Sequence, residues 1–204
     1  MNWLAHIFLS EQHIDFQLGN FLADPLKTRL WNHAIKELKE GVRVHKIIDS
    51  YTDSNKIVKK SKARLKEKGL LKSIVIDLTY DYLLTKNWEK FCNIPIEKFS
   101  YDFYTKANKR AIYFPKRANT LIKGLIKRDL LNKYQDLEHL KIAFERIDLR
   151  LSKRLLARDT AISYYDAVCD NIILLEEDFL EFFPMLCDIV KKEINRKKIK
   201  HWKI

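Results

Sequence analysis

Residues 70–91 read LLKSIVIDLTYDYLLTKNWEKF, and the choice between strand and helix for this stretch decides the fold. Ile74-Val75-Ile76 has the β-branched character of a strand, but the run continues beyond the length of an ordinary one. Read as a helix, the segment is apolar nearly all round, through Ile74, Val75, Ile76, Leu78, Tyr80, Tyr82, Leu83 and Leu84. A helix with no polar face is one surrounded by protein. The composition agrees. Only four Gly and four Pro occur in 204 residues, and no Asn-Gly or Asp-Gly hairpin signal is present. Helices joined by short turns are expected, and an all-β fold is disfavoured. The chain length suits one domain with a sizeable core. The expected fold class is therefore all-α, a single-domain helical bundle over residues 1–204.

The same stretch carries Asp77 and Asp81 at i, i+4. An isolated buried carboxylate is very costly, so each needs a cation, hydrogen-bond donors or a buried Arg or Lys. A divalent metal would meet that need, and so would a basic side chain. Upstream, residues 41–55 read GVRVHKIIDSYTDSN. On a helix His45 and Asp49 lie about 40° apart, one turn above the other, with Thr52 on the same stripe. Val44, Ile48 and Tyr51 form an apolar stripe beside them, while Arg43 and Lys46 lie on the far flank. An imidazole and a carboxylate so placed can hold a metal between them. The same spacing is more often a polar pair worth about 0.2–0.5 kcal/mol. Two further donors precede these. His6 lies among Trp3, Leu4, Ile7 and Phe8, where a structural histidine is the commoner case. Gly19-Asn20 interrupts the apolar pattern, and Asp24 then precedes Pro25. That position is biased to a helix end or turn, with the carboxylate free to cap or to point inward.

Further helices are expected at Glu40–Leu65, with Gly69 as a stop after Lys66–Lys68, and at Glu97–Ala111, Lys116–Tyr134, Leu137–Arg158 and Thr160–Val190. In the last of these, Phe179, Phe183 and Leu186 form a core stripe, and Pro184 is expected to bend or divide the helix. Cys92, Cys169 and Cys187 lack Cys-x-x-Cys spacing and read as buried thiols of a reducing compartment. His6 interrupts the apolar start with no basic residue before it, so no signal peptide is expected, and no run approaches the ~18–20 residues of a membrane span. A soluble, cytoplasmic protein with no membrane partner is the expectation. No Gly-rich phosphate loop, Gly-x-Ser-x-Gly elbow or His-Glu-x-x-His motif occurs. The net charge of +12 resides in residues 56–68 and 191–203, each with seven basic residues and one Glu. The remainder balances at 25 basic and 25 acidic residues. Such patches attract nucleic acid, anionic membrane or acidic protein, though a solvated helix face looks the same.

Four blocks in order resemble the bacterial acyl carrier protein phosphodiesterases: Met1-Asn2-Trp3-Leu4-Ala5-His6, Gly19-Asn20-Phe21-Leu22-Ala23-Asp24, the segment 41–53 from Gly41 to Asp53, and Asp77-x-x-x-Asp81 with Trp88 following. A fainter match covers residues 179–184. The resemblance implies a fold related to the His-Asp metal-dependent phosphohydrolases, and removal of 4′-phosphopantetheine from holo-acyl carrier protein. It also implies manganese as the metal; carboxylate and imidazole ligands without thiolates fit a harder divalent ion, manganese or magnesium, without excluding iron(II) or zinc. Two positions depart from the family pattern. Tyr82 and Asn55 stand where the family commonly has histidine.

The expected ligands are then His6, Asp24, His45, Asp49 and Asp81, with Asp77 binding directly or one step behind. Asp24, His45 and Asp49 are the expected catalytic residues, Asp24 orienting or deprotonating the attacking water. Arg43, Lys46, Lys59 and Lys60 are expected to meet the acidic carrier protein. If residues 40–65 form one helix, Lys59 lies roughly 15 Å along its axis from Asp49. Two other readings remain: an HD-type hydrolase of a nucleotide or other small phosphoester, and a helical nucleic-acid-binding protein. The second is disfavoured because no nucleic-acid motif is present and the aromatics read as core.

Overall fold

The computed structural model describes every residue except Glu67. Among the described residues the chain is all-α. Its helices are α1 (Trp3–Phe8), α2 (Ile14–Leu22), α3 (Lys36–Ser54), α4 (Lys56–Leu65), α5 (Lys72–Lys86), α6 (Trp88–Phe91), α7 (Ile96–Ala111), α8 (Lys116–Lys127), α9 (Leu137–Asp148), α10 (Lys153–Leu156), α11 (Tyr165–Asp170) and α12 (Ile172–Glu193). Short 3₁₀ turns follow α8, α10 and α12. Among the described residues the only extended pairing is an isolated antiparallel bridge between Cys92 and Trp202.

The apolar stretch is α5, whose Val75, Ile76, Tyr80, Leu83 and Leu84 are wholly buried. Tyr80 packs against Phe179 and Phe182 of α12, with ring centroids 5.3 and 5.7 Å apart. Phe179 and Phe183 extend the aromatic core to Phe91 and Phe8. Pro184 neither ends nor divides α12, which runs unbroken from Ile172 to Glu193. The helix expected from Thr160 is instead interrupted at Asn171, leaving the short α11 before it. Gly19 and Asn20 do not break α2; both are buried within it.

The largest departure is at Asn55. The expected helix 40–65 is two helices, because Asn55 adopts an extended backbone (φ −68°, ψ 135°) and its side chain accepts from the Ile57 N–H at 2.8 Å. Asn is among the strongest N-cap residues, so this side chain starts a new helix rather than continuing the old one. The new helix ends at Leu65, four residues before Gly69. Glu67, the one acidic residue of that basic segment, lies outside the described residues. No helix among the described residues is long and apolar enough to cross a membrane.

Candidate metal centre

Where α2 crosses α3 the backbones touch. A Cβ on Gly19 would collide with the Leu38 carbonyl; one on Gly41 would collide with the Phe16 carbonyl and come within 2.7 Å of the Asn20 nitrogen. Only glycine permits so close an approach. The crossing sets Asn20 of α2 beside His45, one turn beyond Gly41 on α3, while α1 brings His6 to the same point.

Asn20 Oδ1 lies 2.8 Å from His6 Nδ1 and 3.2 Å from His45 Nδ1. The other end of the amide decides its orientation. Asn20 Nδ2 donates to the His6 carbonyl and to Ser10 Oγ, both at 2.9 Å. A carbonyl can only accept, so that end is the nitrogen, Oδ1 is the acceptor, and each imidazole carries a proton on Nδ1. The rings stack with centroids 4.1 Å apart and planes inclined by 22°. Both Nε2 atoms turn to Asp49: His6 Nε2 is 3.2 Å from Oδ1, and as far from the Met1 carbonyl oxygen, and His45 Nε2 is 2.9 Å from Oδ2. Donor atoms of His6, His45 and Asp49 all lie within 4.8 Å of one another. Asp24, exposed in the turn after α2, adds an oxygen 3.1 Å from His45 Nε2.

Burial lowers the pKa of His6 against the pull of Asp49. His45 is also desolvated, but its hydrogen bonds to Asp24 and Asp49 outweigh this and raise it to about 9. Burial pushes Asp49 up, yet His45 and His6 hold it well below the usual carboxylate range. Asp24 is lowered chiefly by its bond to His45. Metal-free, the group is a charged His45 imidazole between two carboxylates, with the His6 ring stacked on it. Two imidazole nitrogens and a carboxylate converging on one point, with the far ring nitrogens fixed by a hydrogen bond, also fit a divalent ion.

The remaining expected ligands have other partners. Asp81 is fully buried and accepts from the backbone N–H groups of Leu4 (2.9 Å), Asn2 (3.3 Å) and Ala5 (3.4 Å). It therefore caps the helix that carries His6. Burial still raises its carboxyl to about 7. Asp77 accepts from the Met1 amino group at 2.9 Å. The two carboxylates of α5 thus find neither a basic side chain nor a place in the cluster. Tyr82 is buried in the core, and Asn55 is spent on its cap.

Several expected substrate-binding cations are committed elsewhere. Arg43 bonds Glu40 at 2.8 Å and Glu193 at 2.6 Å, tying α3 to the end of α12. Lys60 reaches Asp178 at 2.9 Å, beside Arg64 at 2.8 Å. Lys46 and Lys59 are exposed. Two features lie outside the sequence expectations: the role of Asn20, and a cavity of about 780 Å³ in which Arg128, Lys133, Arg146 and Arg150 join Asp24 in the wall. The only sequence signal for Asn20 was a polar residue inside an apolar pattern.

Residues 1–186 match the family described as acyl carrier protein phosphodiesterase. Relatives bearing that name align along nearly the whole chain. The Salmonella agona protein is 27% identical over 199 residues, covering 95% of this chain and 100% of the relative. The Salmonella paratyphi A protein is 26% identical with the same coverage. The Pectobacterium atrosepticum protein is 23% identical over 195 residues, covering 95% and 99%. No solved structure matches the chain.

Proposed function

The chain belongs to the acyl carrier protein phosphodiesterase family, and from that premise we propose that it hydrolyses the phosphodiester linking 4′-phosphopantetheine to holo-acyl carrier protein, releasing the apo protein. The observation that carries the reading is the convergence of His6, His45 and Asp49, with Asp24 beside them. The Nε2 atoms of His6 and His45 and the oxygens of Asp49 would hold a divalent ion, manganese before magnesium or iron(II). When bound, such an ion lowers the pKa of water and offsets charge developing on the phosphoryl oxygens. Asn20 accepts from Nδ1 of both rings, so Nε2 is the nitrogen each would turn to the ion, His45 giving up its Nε2 proton as the metal binds. Asp24 is ionised and exposed at the edge of the cluster, where it can orient a water and accept its proton as the water attacks phosphorus. The serine oxygen of the carrier protein is the leaving group.

The test is the mass of holo-acyl carrier protein before and after incubation with enzyme and manganese. Loss of one phosphopantetheine group is expected. Cleavage of nucleotides with the carrier protein left intact would instead make this an HD-type hydrolase of small phosphoesters. His45→Ala should lose bound metal and activity while keeping its helical signal. Asp24→Ala should lose activity, and full activity in either variant would falsify the assignment.

A further inference from the structure

The cavity beside Asp24 has a volume within the range of ~300–1,000 Å³ typical of small-ligand sites. Ile74, Leu78, Leu121, Leu125 and Ile147 give it largely apolar walls. Four cations also line it, Arg128, Lys133, Arg146 and Arg150. None of them makes an ion pair among the described residues, whereas Arg43, Lys60, Lys62 and Arg64 all do. Of its two carboxylates, Asp77 is taken up by the Met1 amino group and Asp24 is the one bonded to His45. The cavity therefore opens beside the metal centre and is cationic.

Gly124 supplies an independent sign that the space is kept open. It lies inside α8, where glycine costs about 1 kcal/mol relative to alanine. No close helix crossing requires it. A Cβ there would meet only the flexible end of Arg128, with Nη2 at 3.2 Å and Cζ at 4.0 Å. The missing side chain leaves room in the cavity wall instead of relieving a backbone clash.

We propose that this cavity seats the phosphopantetheine arm of the substrate, its methyl and methylene groups against the apolar walls and its amide carbonyls accepting hydrogen bonds from the cations. This assignment rests on the proposed function and deepens it. The arm would run from the phosphorus at the His6–His45–Asp49 cluster, past Asp24, into the space beside Gly124. Arg146 of α9, with Arg128, Lys133 and Arg150 from the turns beside it, then faces the acidic substrate in place of Arg43 and Lys60.

Calorimetric binding of free 4′-phosphopantetheine to the manganese-loaded protein tests the assignment, alongside cleavage of holo-acyl carrier protein. Gly124→Leu fills the cavity while improving helix propensity, so its thermal midpoint and bound metal should match the wild type. Its affinity for phosphopantetheine should fall roughly tenfold, equivalent to about 1.4 kcal/mol, and KM for the carrier protein should rise. Arg128→Gln with Arg146→Gln should weaken binding in the same direction. Wild-type cleavage together with unchanged phosphopantetheine affinity in Gly124→Leu would overturn the cavity and leave the proposed function standing. Failure of the wild type to cleave the carrier protein would overturn the proposed function, and the cavity assignment with it.

Discussion

Asn20 gives one oxygen to two imidazoles and one nitrogen to a carbonyl and a hydroxyl, all out of contact with water. Replacing it by alanine strands two buried N–H donors, at about 1–3 kcal/mol for each. It also frees the rings to change tautomer. Outer hydrogen-bond partners of metal-bound histidines are typically worth ~10–100-fold in affinity, so Asn20→Ala should weaken manganese binding by that order in a calorimetric titration. Unchanged affinity would mean that the tautomers are set elsewhere. His45 and Asp49 could be paired from their spacing, whereas His6 and Asp24 joined them through the family resemblance. Asn20 could not, because a lone asparagine in an apolar pattern looks like a helix break until its partners from α1 and α3 are known. The same blindness affected Asp81, whose burial was legible but whose partners, the first N–H groups of α1, lie 76–79 residues away.

At the level of elements, the site depends on α2 and α3 lying in backbone contact at Gly19 and Gly41. Gly41→Ala would gain helix propensity on a peptide scale but force the backbones apart, a form of overpacking that costs typically ~1–3 kcal/mol. Since Asn20 and His45 sit on opposite sides of that crossing, the variant should lose metal affinity as well as thermal stability. A stabilised variant with intact metal binding would refute the close approach. A second junction ties α4 to α12. Asp178, 1% exposed, takes Arg64, Lys60 and the Ser61 hydroxyl, which is itself 2.8 Å from Tyr80. Burial works to raise this carboxyl, but those partners hold it below the ordinary range. A lowered carboxylate stabilises the fold at pH values above its unfolded pKa of about 3.9, and that contribution disappears as pH falls through the folded value. Denaturant titrations from pH 6 downward should therefore show less acid sensitivity in Asp178→Asn, which is less stable than the wild type at pH 6. The helical identity of α5 was legible because its apolar run outlasted any strand. The break at Asn55 was not, since α3 and α4 are both good helical sequences and only the cap geometry separates them.

For the molecule as a whole, a net charge of +12 overstates what is free to attract a partner. Lys60 and Lys62 of the first basic segment bridge to Asp178 and Asp53, while Lys59 is exposed. Lys60→Glu should thus act on stability, lowering the thermal midpoint by setting a second negative charge against Asp178. Lys59→Glu should stay within the ~0.5 kcal/mol usual for surface changes. Thermal scans of the two variants side by side distinguish a structural cation from a free one; equal midpoints would contradict the pairing. The tail after α12 has its own consequence. His201 Nε2 and Trp202 Nε1 both donate to the Phe8 carbonyl at the end of α1, at 2.8 and 2.9 Å. Phe8 is synthesised 193 residues before His201. At ~5–20 residues per second a ribosome needs roughly 10–40 s to make that much chain. For that interval the short helix bearing His6 lacks the clasp at its end, so one of the first residues made is among the last to be secured.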